Sequence, residues 1–340
     1  MNSEELIETL AKANKITLQR HGNEVSIERA IFLSWWCDKG DCKFCYMSSQ
    51  KPRIKKPEKA KRKLSRILAE VEICKRIGAN IEFLSGGYGL YKAEEIKEIA
   101  ELVAYVYNSP IWLNVGVLPR EKLEIFGKEI EGITGAVETF DRELHSFVCP
   151  SKPLKPIIEM LMNAKELGFK TGITIILGLG ENISKLEELF KLIEELELDR
   201  ITFYSLNPHE GTYYENFPSP ASLYQAFVIA KTRLAFPEIK IISGTWIDQL
   251  PNIGITLIAG ANGITKFPLF SMFGNKYGRK VEEEVKYAGR KLKGTFTDVN
   301  KLLSPVKEDK IFEMPKKIPE IREEIDKMVE DYIKKIISRE

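Results

Sequence analysis

Short apolar runs alternate with longer amphipathic segments along most of the chain. The runs are rich in Val, Ile and Phe, as buried strands are, and the segments repeat apolar residues at three- and four-residue intervals, as helices do. Strands that alternate with helices pair in parallel, and eight such units close into a (β/α)8 barrel. An open, doubly wound parallel sheet is the alternative. The predicted strands span residues 24–36, 81–87, 111–115, 132–140, 170–177, 200–206, 240–246 and 256–261.

Helical segments flank the predicted barrel on both sides. Residues 3–19 place apolar side chains on one face, which suits a helix that packs across the barrel. We expect three parts: an N-terminal helix over residues 1–25, the barrel over 26–267 and a charged helical extension over 268–340. An apolar stripe in the extension would cover the barrel or a partner subunit, and it consists of Ile318, Ile321, Ile325, Met328, Tyr332 and Ile336.

Polar and glycine-rich positions recur where the predicted strands end. Parallel barrels build their active sites from the loops at the carboxyl ends of the strands. Each position alone is ordinary for a loop, but together they predict an active site on one face of the barrel. The positions are Cys37, Ser85, Gly86, Gly87, Asn114, Glu138, Glu181 and Asn207.

The composition gives no reason to expect a nucleic-acid or a membrane partner. Lys and Arg number 51 against 49 Asp and Glu, so the net charge favours neither a nucleic-acid nor a membrane partner. No apolar run approaches the roughly 20 residues of a membrane helix, and the acidic N-terminus lacks a signal-peptide pattern. The five cysteines do not follow a disulfide pattern. We therefore expect a cytoplasmic protein in a reducing compartment.

Three of the cysteines, Cys37, Cys42 and Cys45, lie within nine residues after the first predicted strand. Three thiolates on one short loop can bind three irons of a [4Fe–4S] cluster, which leaves the fourth iron open to another ligand. A structural zinc site needs four protein ligands, and the nearest histidine, His21, lies sixteen positions upstream of Cys37. Zinc and ordinary core thiols are the alternatives to the cluster.

This loop resembles that of the radical S-adenosylmethionine (SAM) superfamily, in which three cysteines follow the first strand of a TIM-type barrel. The usual spacing in the family is C-x3-C-x2-C, whereas this chain has C-x4-C-x2-C. The resemblance implies two cofactors, a [4Fe–4S] cluster on Cys37, Cys42 and Cys45 and SAM on its open iron. It also implies that the aromatic residue Phe44 lies near the adenine of SAM.

A glycine pair after the second predicted strand also resembles the family. Gly86 and Gly87, which follow Ser85, match glycines whose backbone approaches the methionine group of SAM. A Cβ atom would block such an approach. Tyr88 replaces the acid that usually follows the pair. The alternative is an ordinary turn between a strand and a helix.

Two later motifs resemble those of biotin and lipoyl synthases. Glu138 matches a carboxylate that holds the ribose hydroxyls of SAM, and two adjacent hydroxyls can both donate to one carboxylate. Residues 178–181 match a G-L-G-E motif, which implies that Ile176 packs against adenine. Asn207 matches the end of the next strand in biotin-synthase-like proteins. The alternative for Glu138 is an ordinary surface acid.

The resemblance as a whole is to biotin-synthase-like enzymes, which cleave SAM reductively and take hydrogen from an unactivated carbon. Biotin synthase adds cysteines on strands two, three and five, and the matching strands of this chain contain none. The unusual spacing then suggests one subunit of the split lipoyl synthase of archaea, a sulfurtransferase with two radical SAM subunits. The alternatives are a maturase-like role in metallocofactor synthesis and a partner subunit that carries the cluster without catalysis.

The two remaining cysteines have different settings. Cys74 lies among apolar residues of a predicted helix and is interpreted as a core residue. Cys149 lies in the loop after the fourth strand, on the side of the predicted active site. It is either a structural thiol or a cluster ligand or sulfur carrier at the barrel mouth.

A basic segment, residues 51–66, begins shortly after the cysteine loop and holds nine basic residues and one acid, Glu58. A solvated loop before a helix is one interpretation. The other is a docking site for an acidic protein, either a flavodoxin or ferredoxin reductant or an acidic carrier protein that bears the substrate.

Overall fold

The computed structural model describes residues 2–338. Its strands are β1 (Glu24–Phe32), β2 (Asn80–Ser85), β3 (Ile111–Asn114), β4 (Ile130–Glu138), β5 (Lys170–Leu177), β6 (Arg200–Ser205), β7 (Lys240–Gly244), β8 (Gly263–Thr265) and β9 (Lys291–Lys293). They form one sheet in the order β2-β3-β4-β5-β6-β7-β8-β1-β9, and β1 also pairs with β2. This pairing closes the first eight strands, all parallel, into a barrel. The (β/α)8 prediction is confirmed, and the open-sheet alternative is wrong.

Helices surround the barrel and extend beyond it. They are α1 (Ser3–His21), α2 (Tyr46–Gln50), α3 (Leu64–Arg76), α4 (Ala93–Tyr107), α5 (Arg120–Leu123), α6 (Arg142–Val148), α7 (Leu154–Glu166), α8 (Leu186–Leu196), α9 (Ser222–Ala235), α10 (Asn252–Ile258), α11 (Leu269–Met272), α12 (Lys276–Tyr287), α13 (Val299–Leu303) and α14 (Lys317–Ile337). Within the described residues, none of them combines the length and the apolar character that a membrane crossing requires.

The two terminal helices pack on helices that surround the barrel. Helix α1 contacts α9 and α10 through its buried residues Leu6, Leu10 and Ala13. Helix α14 contacts α3, and its apolar stripe is buried at Ile318, Ile325 and Ile336. Burying the stripe removes apolar surface from water, which stabilises the contact. The extension therefore covers the helical layer that surrounds the barrel.

The predicted eighth strand at residues 256–261 is wrong. Helix α10 extends through the first half of that range, because Ile253, Thr256 and Leu257 bury one helical face. The helix ends at Ile258, and Gly260 follows it with a φ of 116°, which suits glycine. Strand β8 starts only at Gly263, after the Asn262 side chain accepts a hydrogen bond from the backbone N–H of Ile241 (2.9 Å). The apolar run was too short to distinguish a buried helix from a strand.

Paired polar side chains close the lumen at the end where the strands begin. The buried carboxylate of Glu28 accepts hydrogen bonds from Ser26 Oγ (2.6 Å), Asn80 Nδ2 (3.1 Å) and Lys240 Nζ (2.5 Å). Burial alone would raise the pKa of Glu28, but the charge of Lys240 and these three hydrogen bonds hold that pKa below its usual value. This end of the barrel is therefore a satisfied polar core.

Candidate functional site

The cysteine loop lies at the opposite end of the barrel, between β1 and α2. Its turn includes Gly40 in a left-handed conformation, with φ 53°. Backbone hydrogen bonds tie the loop to its neighbours: Asp38 donates to Tyr88 O (2.8 Å), Lys43 donates to Val148 O (2.9 Å), and Tyr213 donates to Lys43 O (3.0 Å). Loops that follow β2, β4 and β6 therefore hold the three cysteines in place.

The loop after β2 packs directly on Cys37. The backbone N–H of Tyr88 donates to Cys37 Sγ (3.3 Å). A Cβ atom on Gly87 would lie 2.6 Å from Cys37 Cβ and 2.3 Å from Trp36 O, so only glycine fits there. A Cβ atom on Gly86 would meet only Val115, at 3.9 Å, which leaves its backbone open to approach. Gly87 thus allows the close packing of the cysteine loop, whereas Gly86 has open space beside its backbone.

Cys42 and Cys45 have different surroundings. A hydrogen bond with the thiol of Cys149 lowers the pKa of Cys42, against the effect of its partial burial. Burial raises the pKa of Cys45 to about 11. Cys149 is itself buried next to Cys42, whereas Cys74 is fully buried in the main core. A fourth cysteine therefore contacts the site, as its position after β4 suggested.

The three-cysteine loop fits a [4Fe–4S] cluster better than a single metal ion. Across residues 2–338, His, Cys, Asp and Glu side chains form no group of three or more that could hold one ion. A cubane cluster has a different requirement, because each thiolate binds its own iron and the sulfurs need not converge. All three cysteines are partly exposed at the mouth, and Cys37 already accepts an N–H donor. Cys37, Cys42 and Cys45 would hold the cluster.

Phe44 and Ile176 come together beside these cysteines. Both are buried in a small apolar cluster with Leu179 and Tyr214, and Cys42 and Cys45 pack against it. The Tyr214 hydroxyl donates to Leu179 O (2.7 Å), which fixes the ring. These apolar side chains form a well-packed surface next to the cysteine loop. The two residues therefore occupy the kind of surface on which an adenine ring can pack.

Ser85 and Asn207 lie at the mouth, and within residues 2–338 their side chains form no hydrogen bond. Ser85 ends β2, and its carbonyl accepts a hydrogen bond from Leu33 N (2.8 Å). The next amide, that of Gly86, donates to Asn114 O (3.2 Å). Asn207 follows β6 and is partly exposed. The structure places both residues on the predicted face, and their roles toward SAM stay a prediction.

Glu138 ends β4 in an ion pair that the sequence did not indicate. Its φ is 67°, and its buried carboxylate lies 2.5 Å from Lys152 Nζ. The charge of Glu138 raises the pKa of Lys152 in spite of the burial of that lysine. The interpretation of Glu138 as an ordinary surface acid is therefore wrong. Lys152 follows helix α6 in an irregular loop, where no periodic pattern marks it.

Lys266 directly follows β8 and is the second charged residue in a left-handed conformation at the mouth, with φ 77°. Its Nζ donates to Ser205 O (3.2 Å) and lies 5.2 Å from the centre of the Tyr204 ring. Burial lowers the pKa of Lys266 to about 8. Across residues 2–338 it forms no ion pair. The sequence did not indicate Lys266 as a strand-end residue, because the eighth strand was predicted too early in the chain.

Two more buried groups surround this part of the lumen. His145 Nε2 has no hydrogen-bond partner within residues 2–338, and burial together with the charge of Lys152 lowers the pKa of His145 to about 4. Below Lys266, the carboxylate of Glu82 accepts hydrogen bonds from Thr202 (3.0 Å), Tyr204 (2.8 Å) and Thr265 (2.6 Å). The Tyr204 ring thus forms a fixed floor under the mouth.

Comparisons with known proteins agree with this site. The family model described as "Radical SAM superfamily" matches residues 33–193. A protein of Methanocaldococcus jannaschii, named Uncharacterized protein MJ0597, is 48% identical over 100% of this chain and 97% of its own length. The 3-methylornithine synthase of Methanosarcina acetivorans is 29% identical, over 78% of this chain and 76% of that enzyme. Biotin synthase of Thermotoga petrophila is 28% identical, over 81% of this chain and 92% of that enzyme.

Two solved structures share the fold. The crystal structure of methylornithine synthase (PylB) superposes with a TM-score of 0.70 and 21% identity, over 89% of this chain and 93% of that one. HydG, a maturase of the [FeFe]-hydrogenase, also superposes with a TM-score of 0.70, at 16% identity over 100% of this chain and 83% of that one. These two structures show the fold alone. The family model and the relatives show that the chain belongs to the radical SAM superfamily, with biotin synthase and 3-methylornithine synthase among its relatives.

Proposed function

We propose that this radical SAM enzyme takes a hydrogen atom from an unactivated carbon of a small substrate with an anionic group, and that Lys266 holds that group. When bound, the cluster supplies the electron that cleaves SAM, and the resulting radical is the hydrogen acceptor. The protein must then orient SAM, exclude water and place the substrate. The observation that carries the substrate class is the partly buried ammonium of Lys266, which has no carboxylate partner in the described chain.

The backbone supports a role for Lys266 in binding. Non-glycine residues with positive φ among residues 2–338 are Asn108, Glu138, Glu197 and Lys266. Asn108 and Glu197 are helix C-caps, where this conformation is common. Glu138 and Lys266 instead lie at strand ends at the mouth, where such strain costs about 1–3 kcal/mol each and needs compensation. Bound ligands, SAM at Glu138 and the substrate at Lys266, would compensate for this cost.

The other residues at the mouth would divide the remaining tasks. Phe44 and Ile176 offer the apolar surface for adenine, and Glu138 offers a carboxylate to the ribose hydroxyls. Lys152 fixes that carboxylate by its ion pair. The Tyr204 ring closes the site from below, which keeps water from reaching the radical along the lumen. No protein acid or base is needed.

Sulfur insertion is the second candidate, as one subunit of a two-component lipoyl synthase that acts with a second radical SAM subunit on an octanoylated carrier protein. Three observations favour it. The C-x4-C-x2-C spacing is unusual, and β2, β3 and β5 contain no cysteine for an internal sulfur-donating cluster. Cys149 lies buried beside Cys42, where a sulfur carrier could act. A maturase-like role and a non-catalytic partner subunit remain further proposals.

Deuterium transfer into 5′-deoxyadenosine distinguishes these candidates. Anaerobic protein with SAM and dithionite would be incubated with deuterated 3-methylornithine, lysine or glutamate, or with a deuterated octanoyl carrier protein. We expect transfer from an anionic amino acid, its loss in Lys266→Met and its retention in Lys266→Arg. Transfer from the octanoyl carrier alone, with or without a second subunit, contradicts the small-substrate proposal and supports lipoyl synthase. Formation of 5′-deoxyadenosine without transfer from any probe also contradicts it and leaves the maturase role.

A further inference from the structure

A groove of about 490 Å³ lies on the outside of the barrel next to the cysteine loop. Its rim carries the cations Arg53, Lys55, Lys56 and Lys59, and its floor includes Trp35 and Ile54. The segment is irregular here: helix α3 begins only at Leu64, after a short 3-10 turn at Pro57–Ala60. The basic segment of the sequence therefore forms a concave surface rather than one face of a helix.

The four cations on the rim are available to a partner. All four side chains are exposed, and within residues 2–338 none of them forms an ion pair. The one acid of the segment, Glu58, is paired with Lys61 (3.1 Å), which lies outside the groove. The groove thus combines unopposed positive charge with an apolar floor, on a chain whose formal net charge is only +2.

The floor of the groove adjoins the cysteine loop. Trp35 lies two residues before Cys37, is 41% exposed and stacks on Phe32 with 4.7 Å between the ring centres. Its backbone N–H donates to Ala60 O (3.3 Å). From the other side, Lys51 Nζ donates to Lys39 O (3.1 Å) within the cysteine loop. A partner seated in the groove therefore lies close to the cluster ligands.

We propose that this groove docks an acidic electron-donor protein that reduces the cluster. The proposal rests on the reductive SAM cleavage of the proposed function. In the step, one electron leaves the reduced donor and enters the oxidised cluster, so the donor is oxidised by one electron and no proton or bond is exchanged. Unopposed cations beside the entry point would steer an acidic surface to it and raise the association rate.

The position of the groove favours an electron donor over an acyl carrier protein. None of its lining residues belongs to the mouth, where Glu138, Tyr204 and Lys266 lie. An electron needs only proximity to the cluster, whereas a carrier-bound substrate must enter the lumen. Docking outside the mouth therefore lets the donor bind while SAM and substrate stay in place.

Direct binding of a reduced acidic ferredoxin tests the proposal. The variant Lys55→Glu, Lys56→Glu, Lys59→Glu would be compared with the parent for its dissociation constant at low and high salt. We expect binding to weaken at least about tenfold, and the affinity of the parent to fall as salt shortens the Debye length from about 10 Å at 0.1 M to about 3 Å at 1 M. SAM cleavage with ferredoxin should slow in parallel, and cleavage with dithionite should change less than about twofold, because small reductants need no docking.

A matched control carries the same change of charge elsewhere. Lys15, Lys191 and Lys286 are exposed on α1, α8 and α12, away from the groove. The variant Lys15→Glu, Lys191→Glu, Lys286→Glu should bind ferredoxin nearly as the parent does. Equal binding by the groove variant and the parent, or an equal loss in both triple variants, overturns the proposal.

Two further outcomes are informative. If the parent binds single-stranded RNA more tightly than ferredoxin, and the groove variant loses that binding, the groove is a nucleic-acid site and the proposal is wrong. If dithionite fails to drive SAM cleavage in the parent, the proposed function is wrong, whereas the ferredoxin dissociation constants still decide whether the groove is a docking site.

Discussion

The two ends of the barrel lumen contain similar charged residues, but the two sets differ in how fully they are hydrogen-bonded. Where the strands begin, Glu28 is fully paired with Ser26, Asn80 and Lys240. Where the strands end, Lys266 has only a carbonyl partner, and His145 Nε2 has no partner within residues 2–338. The first arrangement satisfies every group that it buries, and the second leaves groups ready for a ligand.

This difference places stability and function at opposite ends of the same barrel. Burying an unpaired polar group costs free energy, so a fold keeps such groups only where another benefit compensates. In a (β/α)8 barrel that place is the carboxyl end of the strands. The left-handed conformations of Glu138 and Lys266 fall at the same end. We therefore expect substitutions at the two ends to affect different measurements.

The largest effect should follow the loss of one cluster thiolate. Anaerobically reconstituted parent should hold about four irons, and Cys42→Ala should hold none, because two thiolates do not retain a cubane. Cys74→Ala is the matched control, since Cys74 lies in the core far from the loop in the fold. Iron analysis and the visible absorption spectrum measure both. Zinc in place of iron in the parent, or iron loss in Cys74→Ala, would contradict the ligand assignment.

At the closed end of the lumen, Glu28→Ala should destabilise the fold without changing the affinity for SAM. The change leaves the partly exposed Lys240 and two neutral donors without their acceptor, which costs about 1–3 kcal/mol in the free energy of unfolding. Glu24→Ala, at an exposed position of the same strand, should cost less than about 0.5 kcal/mol. Denaturant unfolding compares the three proteins. A cost in Glu28→Ala no larger than in the control would mean that the closed end is not a paired core.

The same carboxylate predicts a pH dependence. Because the pKa of Glu28 is lowered in the folded state, its contribution is fully present above the unfolded value of 4.5 and is lost as the pH falls through the lower folded value. The stability difference between the parent and Glu28→Ala should therefore be constant at neutral pH and shrink below about pH 4.5. Unfolding curves from pH 3 to pH 7 measure it. A difference that grows with acid would have the wrong sign.

At the mouth, Glu138→Ala should weaken SAM binding by about 1.5–3 kcal/mol, through the loss of charge-assisted hydrogen bonds to the ribose. Equilibrium dialysis with labelled SAM under anaerobic conditions measures the affinity. Glu181→Ala is a useful comparison, because Glu181 also lies near a strand end, but its carboxylate accepts hydrogen bonds from Gly178 N and Tyr224 OH instead. Unchanged SAM affinity in Glu138→Ala would restrict that residue to the ion pair with Lys152.

The smallest effect on stability should come from Lys266→Met. No ion pair is lost, so the free energy of unfolding should change by less than about 0.5 kcal/mol or rise slightly as a desolvated charge is removed. The same variant should lose hydrogen transfer from an anionic substrate. A destabilisation as large as that of Glu28→Ala would show that Lys266 is structural, and the contrast between the two ends would fail.

The sequence predicted the barrel and the cysteine loop well, because both depend on local pattern. Alternating periodicity locates strands and helices, and three cysteines within one loop are visible without a fold. Lys152 and Lys266 were not predicted, since their importance comes from what surrounds them in space. Predicting Lys266 also required the correct end of β8, and the apolar residues of helix α10 had been taken for that strand. The role of Gly87 toward SAM stays a prediction, and the structure shows Gly87 packed against Cys37.

Anaerobic incubation of the reconstituted protein with SAM and dithionite is the most direct measurement of radical SAM chemistry at the cysteine loop. We expect the parent to produce 5′-deoxyadenosine and methionine in equal amounts, Cys42→Ala to produce neither, and Glu28→Ala to produce both at a temperature at which it stays folded. A parent protein that holds about four irons and binds SAM but yields no 5′-deoxyadenosine would contradict the assignment of this chain as an enzyme.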